Sequence, residues 1–196
     1  MSSELSSGIL GRSASTYLED PDAFRDLGLI TVKPCLYVGN IEDISEENPF
    51  LKELTLYANE RNSVVLPMCN QLEAEIAELE EAEEQTMFLK ELGLEKPGIH
   101  YLIQSTYKLL KLQTYFTAGP KEVRAWTITK GTKAPKAAGI IHTDFEKGFI
   151  RAEVMSYDNF ILLKSEQACR DNGKLSVEGK DYVVNDGDIV HFRFNV

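Results

Sequence analysis

Cysteine is scarce in this chain and scattered. Cys35, Cys69 and Cys169 are the only three in 196 residues. Their spacing excludes a disulfide framework and a Cys-x-x-Cys metal site, and leaves isolated structural thiols. No apolar run approaches the ~20 residues that a spanning helix needs. The opening stretch, MSSELSSGILGRSASTYLED, has no apolar run of signal-peptide length and no basic start. These absences lead us to expect a soluble, cytoplasmic protein with no membrane partner. A phosphate cradle of the form G-x-x-x-x-G-K-[ST] is also missing. The Gly-Lys pairs, Gly173-Lys174 and Gly179-Lys180, are followed by Leu175 and Asp181, and neither has a Gly five residues earlier. No Gly-x-Ser-x-Gly nucleophile motif occurs. His142-Thr-Asp144-Phe-Glu146 contains one His and no His-x-x-x-His partner, so we expect a structural cluster there and not a metal site. No catalytic and no metal-ligating residue is assigned.

Positive charge is short overall: 21 Lys and Arg stand against 31 Asp and Glu, for a net charge of −10. The shortage is uneven. Residues 1–112 hold 9 basic and 20 acidic residues, and residues 113–196 hold 12 and 11. The break places a domain boundary near Leu112. Only the second part, at +1, lacks overall repulsion toward a polyanion. Residues 1–22 are Ser-rich without periodicity and read as a disordered tail. Residues 23–112 and 113–196 then form two parts, and the 43% hydrophobic content suffices for real cores.

In the first part, a helix is expected over Asp22–Leu29. Cys35–Asn40 and Ser63–Cys69 are short, almost wholly apolar runs that suit strands buried on both faces. Between them, Asn48 and Pro49 read as N-cap and first turn of a helix with a Phe50, Leu54, Tyr57, Ala58 stripe. Strand, helix, strand makes one βαβ unit. Gln71–Leu92 reads as a single helix, Glu-rich on a solvated face, with Gly93 as C-cap. Gly98–Leu112 reads as another helix. The second part changes character. Thr117–Val154 alone combines strand alternation, Gly and Pro breaks and a mixed charged-aromatic segment. Strands are expected at Val123–Ile128 and Phe149–Met155, a loop over Gly131–Gly139 leading into a short helix, and a helical turn at Gln167–Asn172. Asp181–Val184 and Ile189–Phe194 read as a hairpin around Asn185-Asp-Gly-Asp188. This pattern predicts a small α+β module.

Two constellations can carry binding. Asn40-Ile41-Glu42-Asp43 follows the carboxyl end of a buried strand, where open α/β sheets bind ligands. Met68-Cys69-Asn70 ends the neighbouring strand. An Asn amide there can face a purine edge and a carboxylate can accept from a base nitrogen. Equally, Asn40 and Asp43 can simply cap a turn. In the second part, Lys133, Lys136, Lys147 and Arg151 interleave with Trp126, Phe145 and Phe149. That is either an RNA-contacting pattern or solubilising lysines around a small aromatic core.

From about Phe24 to Val196 the chain resembles the YchF/Obg-like ATPase family. The strongest stretches are Tyr115–Ile128 (YFTAGPKEVRAWTI), Ala138–Glu153 (AGIIHTDFEKGFIRAE), Glu178–Val184 and Asp186–Val196. The resemblance implies an α/β remnant of a P-loop NTPase domain followed by an α+β TGS domain, a ubiquitin-like β-grasp module. It implies ATP and Mg²⁺ as cofactors, ATP hydrolysis by the family, and the ribosome or ribosomal RNA as partner. Asn40–Asp43 falls on the family's Asn-x-x-Glu base motif, Ile41 on the position whose backbone meets adenine, and Cys69 and Asn70 on the second base-side loop. Asp43 stands where the family has Glu, which draws the carboxylate back by one methylene. The phosphate loop, switch regions and Mg²⁺ ligands have no counterpart. The chain thus resembles the C-terminal half of such an ATPase, expected to bind through base-side contacts and to be inactive alone. Two alternatives remain: a complete enzyme whose P-loop half lies outside this sequence, and a nucleotide-independent RNA- or ribosome-binding module.

Overall fold

A computed structural model of the protein describes residues 6–14, 28–42, 48–119 and 122–195. The chain divides into two compact units, Met1–Leu109 and Leu110–Val196.

In the first unit, Gly11–Ser13 and Ile30–Val32 form short 3-10 turns. Arg12 Nη1 donates to the carbonyls of Thr31 and Lys33. The rest of the expected tail lies outside the described residues, as does the Asp22–Leu29 helix apart from Gly28 and Leu29. Strand β1 (Leu36–Asn40) pairs in parallel with β2 (Val64–Met68), Leu36 facing Val64 and Asn40 facing Met68. Helix α1 (Pro49–Asn59) connects them. Its start follows from two residues: Asn48 Oδ1 accepts from the Phe50 and Leu51 amides at 3.0 Å each, and Pro49 fills the first turn, where no donor is required.

The buried stripe of α1 differs from the expected one. Gly39 lets Leu51 and Leu54 approach the strand, and Ala58 is fully buried, whereas Phe50 is 77% exposed. Both-face burial of the strands is not seen either: α1 and helix α4 (Gly98–Leu109) pack on the pair, yet Val38 and Val64 stay exposed. Parallel strands need cover on both faces, and a two-stranded sheet has too little of it. The acidic segment, expected as one helix, forms two, α2 (Asn70–Glu78) and α3 (Ala82–Glu91), because Leu79 turns to extended backbone. The Gln85 amide donates to Leu79 O across the break. Glu73 leaves the solvated face: its carboxylate caps α4 by accepting from the Gly98 and Ile99 amides at 2.6 and 3.0 Å. Helix α4 stops at Leu109, since Lys111 adopts a left-handed φ of +53° and the chain turns into a strand.

That strand, β3 (Leu112–Ala118), opens the second unit and pairs antiparallel with β4 (Val123–Thr129). Helix α5 (Ala134–Ile141) and the short α6 (Thr143–Lys147) lead to β5 (Phe149–Ser156). Helices α7 (Tyr157–Leu163) and α8 (Glu166–Asp171), then β6 (Ser176–Glu178) and β7 (Asp188–Phe194), complete it. The sheet order is β4-β3-β7-β5-β6, with β7 parallel to β3 and antiparallel to β5. One face packs on α5 through the fully buried Ala134, Ala137 and Ala138 against Tyr115, Val154, Val190 and Phe192. On the other, Met155 and Ile189 meet Cys169, Phe160 and Leu163 from α7 and α8. Gly139 sits inside α5 because the side chain of Glu146 fills the space a Cβ would take.

The expected hairpin over 181–194 is not formed. Its turn is drawn to β3 instead: Asp186 Oδ1 accepts from Thr114 N at 2.8 Å and Gly187 N donates to Thr114 O at 2.8 Å. β7 is thereby inserted between β3 and β5, while Val183 bridges to Lys133. Gly187, at φ +79°, supplies the left-handed residue this turn requires. Among the described residues, no helix is long and apolar enough to cross a membrane.

Candidate functional site

The parallel pair β1–β2 brings Asn40 and Cys69 to one end of the first unit. Ile41 N donates to Met68 O at 2.9 Å, continuing the ladder beyond the strand. Asn40 Oδ1 accepts from Asn70 N at 3.1 Å. The Asn40 side chain therefore caps the start of α2, and its amide group is oriented by that bond. Its Nδ2 keeps two donors that bond no other described residue.

These groups open onto a cavity of about 630 Å³ lined by Asn40, Ile41, Glu42, Cys69, Gln71, Leu72, Glu75 and Leu92. Asn40, Ile41 and Cys69 meet there as expected. Asn70 does not line it, but its backbone holds Asn40. Asp43 lies outside the described residues. Gln71, Glu75, Leu72 and Leu92 were not anticipated. Gln71 and Glu75 are one turn apart on α2 and bonded at 3.1 Å, a spacing visible in the sequence. Leu92, just past the end of α3, reaches the cavity as well.

Among the described residues, the lining carries two carboxylates, Glu42 and Glu75, and no Lys or Arg. Such a lining suits a neutral group that both donates and accepts, as a purine base does. It does not fit a triphosphate with Mg²⁺, which needs cationic and backbone N–H cradles.

In the second unit the four basic residues do not share one surface. Lys133 and Lys136 line a cavity of about 650 Å³ between β4 and α5, with Thr127, Thr129 and Ile140. Lys133 Nζ pairs with Asp181 at 2.7 Å and Lys136 Nζ with Glu146 at 2.7 Å. Lys147 is exposed at the end of α6. Arg151 stands on the opposite sheet face, in register with Arg193. Of the aromatics, Phe149 is buried and Phe145 stacks on Phe194 with centroids 3.8 Å apart. Trp126 Nε1 donates to Thr117 at 2.9 Å and its ring carries Arg124 at 4.7 Å. The aromatics serve the core more than a stacking surface. Tyr115 and Tyr182 are driven well above the usual tyrosine range by burial, and for Tyr182 also by the Asp188 carboxylate it donates to at 2.7 Å. Both phenols donate within the unit, Tyr115 to Ala137 O at 2.9 Å and Tyr182 to Asp188.

A parallel βαβ unit with a polar cavity at its strand ends, followed by a mixed five-stranded sheet, defines a mixed α/β protein. Known proteins agree. Residues 112–195 match the family described as YchF-GTPase_C, a protein of unknown function (DUF933). A ribosome-binding ATPase YchF of Haemophilus ducreyi is 53% identical over 186 residues, covering 94% of this chain and 51% of the relative. Its Bacillus subtilis counterpart is 48% identical over 189 residues with the same coverage. The solved Schizosaccharomyces pombe YchF GTPase superposes with a TM-score of 0.81 at 36% identity, over 93% of this chain and 49% of that one. The chain belongs to the YchF family. It spans about half the length of the curated relatives it matches.

Proposed function

We propose that the first part, residues 23–112, carries the base-side half of a purine-nucleotide pocket, and that residues 113–196 are a TGS domain, a ubiquitin-like β-grasp module that docks on the ribosome or its RNA. The relatives' name, ribosome-binding ATPase, supports both halves of this reading. The single observation that carries it is the bond from Asn70 N to Asn40 Oδ1 at 3.1 Å. It turns the remaining amide donors of Asn40 into a fixed group beside Ile41 and Cys69, suited to an acceptor on a purine edge. Asp43 would add an acceptor for a base nitrogen. ATP is the ligand the family suggests. Mg²⁺ and the phosphates find no cradle among the described lining residues, so this chain alone is expected to turn over no ATP.

Competition against a fluorescent ATP analogue tests the reading. Adenosine should compete nearly as well as ATP, because only the base end is held, and Asn40→Ala should weaken both about tenfold. ATP binding that adenosine does not touch and Asn40→Ala does not change refutes the pocket. ATP turnover abolished by Asn40→Ala refutes the predicted inactivity.

A second reading, a nucleotide domain completed by a further P-loop segment, is favoured by the exposed Val38 and Val64 on a two-stranded parallel pair. Such strands are normally covered on both faces. The nucleotide-independent reading rests on the +1 balance of residues 113–196. Ribosome co-sedimentation of the full chain with and without ATP separates the two.

A further inference from the structure

Glu153 lies in mid-strand on β5 and is only 3% exposed. An isolated buried carboxylate is costly, and this one is surrounded by guanidinium groups. Arg193, from β7, donates Nε to Oε1 at 3.3 Å and Nη2 to Oε2 at 3.2 Å. Arg170, from α8, donates Nη2 to Oε2 at 3.3 Å and to Glu166 Oε1 at 3.1 Å. Arg151, from β5 itself, places Nη2 at 3.6 Å from Oε1. Three elements thus converge on one carboxylate.

The Arg193 fork alone would neutralise Glu153, so two further guanidiniums are in excess. Counting Glu166, three positive groups face two negative ones, a local surplus of +1 in a chain of net −10. His191 stands opposite Glu153 on β7. Each arginine remains about half exposed, with side-chain exposures of 54, 45 and 45%. A guanidinium has five N–H donors, and the bonds above use only a few of each. The unused donors belong to groups whose positions are already fixed, which lowers the entropy cost of binding. Glu153, Glu166 and His191 are also close enough together to suggest a cation site. With three guanidiniums on those carboxylates, the cluster favours an anion.

We propose that Arg151, Arg170 and Arg193, held in register by the buried Glu153, form an oxyanion site that grips phosphate oxygens of an RNA backbone. The half-exposed guanidiniums lie on the sheet face that α7 and α8 cover in part, beside the exposed Val177 of β6, which suits a passing polymer better than an enclosed small ion. The assignment to RNA rests on the docking reading above. The guanidinium array itself does not.

Binding of a fluorescein-labelled RNA stem-loop to the full chain, followed by anisotropy across a salt series, tests it. Arg151→Ala should weaken binding about tenfold and lower the salt slope by about 1. Arg151→Lys, which keeps the charge and loses the fork, should also weaken binding. Glu153→Gln makes the decisive comparison. General attraction to a polyanion predicts tighter binding when a negative charge is removed. The organised site predicts weaker binding, by about tenfold, because the arginines lose their anchor. Glu153→Gln that stays folded and binds RNA as well as or better than wild type overturns the proposal. If that variant fails to fold, the exposed Arg151 substitutions decide in its place. Competition by polyglutamate or inorganic phosphate at equal charge would refute the RNA assignment. RNA binding that survives all the arginine substitutions overturns this site and leaves the docking reading standing. No RNA binding by wild type, together with intact ribosome co-sedimentation, overturns this site alone. Loss of both removes the docking reading as well.

Discussion

Replacing Glu153 by Gln should destabilise the second unit by about 2 kcal/mol at pH 7. Removing one partner of a buried ion pair costs about 3–5 kcal/mol when the other charge stays buried. Here the carboxylate is buried but the guanidiniums of Arg151, Arg170 and Arg193 are about half exposed. They can rehydrate, and Gln keeps the shape and one acceptor, so the lower figure applies. Trp126 is the only tryptophan and packs against the core of this unit, so its fluorescence follows the unit's unfolding in urea. The expected change in midpoint is about 1–2 M. The pH dependence follows from the direction of the shift. Hydrogen bonding from Arg193, aided by Arg170 and opposed by desolvation, holds Glu153 below the ordinary value of 4.5. A depressed folded-state value gives stability that is fully present above 4.5 and lost as pH falls through the lower folded value. The gap between wild type and Glu153→Gln should therefore be flat from neutrality down to about pH 5.5 and close below 4.5. A gap under ~0.5 kcal/mol at pH 7 would refute the reasoning. So would a gap that persists unchanged to pH 3, which would assign the effect to packing.

Asn48→Ala should cost about 1 kcal/mol, read as faster amide exchange at Phe50 and Leu51, the two N–H groups that Asn48 caps. Gly187→Ala should cost about 1 kcal/mol in urea unfolding, from backbone strain alone, since the new Cβ would meet only Tyr157 at an ordinary 3.7 Å. Gly139→Ala should cost about 1–3 kcal/mol, because Glu146 occupies the Cβ position and would lose its pairing with Lys136 on moving away. Hydrogen exchange should protect the five-stranded sheet more strongly than the β1–β2 pair. Equal protection of the two would contradict the argument from exposed Val38 and Val64.

The legible parts of the sequence were those decided by neighbours in the chain. Asn48-Pro49 announces a helix start because the cap bonds run two and three residues ahead. Short apolar runs on either side of that helix announce a parallel pair because no shorter connection joins parallel strands. Asn40 and Cys69 followed as candidate site residues, since parallel strands place their carboxyl ends side by side. What the sequence concealed depends on contacts far along the chain. Asn185-Asp-Gly-Asp188 has the composition of a hairpin turn and closes locally through Asp188 N to Asn185 O, yet Asp186 and Gly187 bond Thr114 on β3, more than 70 positions earlier. A local turn preference of about 1 kcal/mol yields to the burial of a whole strand between two others. The acidic run between Glu73 and Glu84 shows the same limit at the site. Its composition suits one continuous solvated helix. Glu73, however, is worth more as the cap of α4, and the break after Glu78 accompanies the arrival of Leu92 at the cavity. The arginine cluster was hidden for a related reason. Glu153, Arg170 and Arg193 look like ordinary strand and helix charges until the register of β5 on β7 buries the carboxylate and leaves the guanidiniums at the surface. A buried acid with several arginines is therefore a pairing that topology creates, and charge counts by segment average it away: residues 113–196 come to only +1, while the positive surplus on one sheet face is fixed in place by a single glutamate.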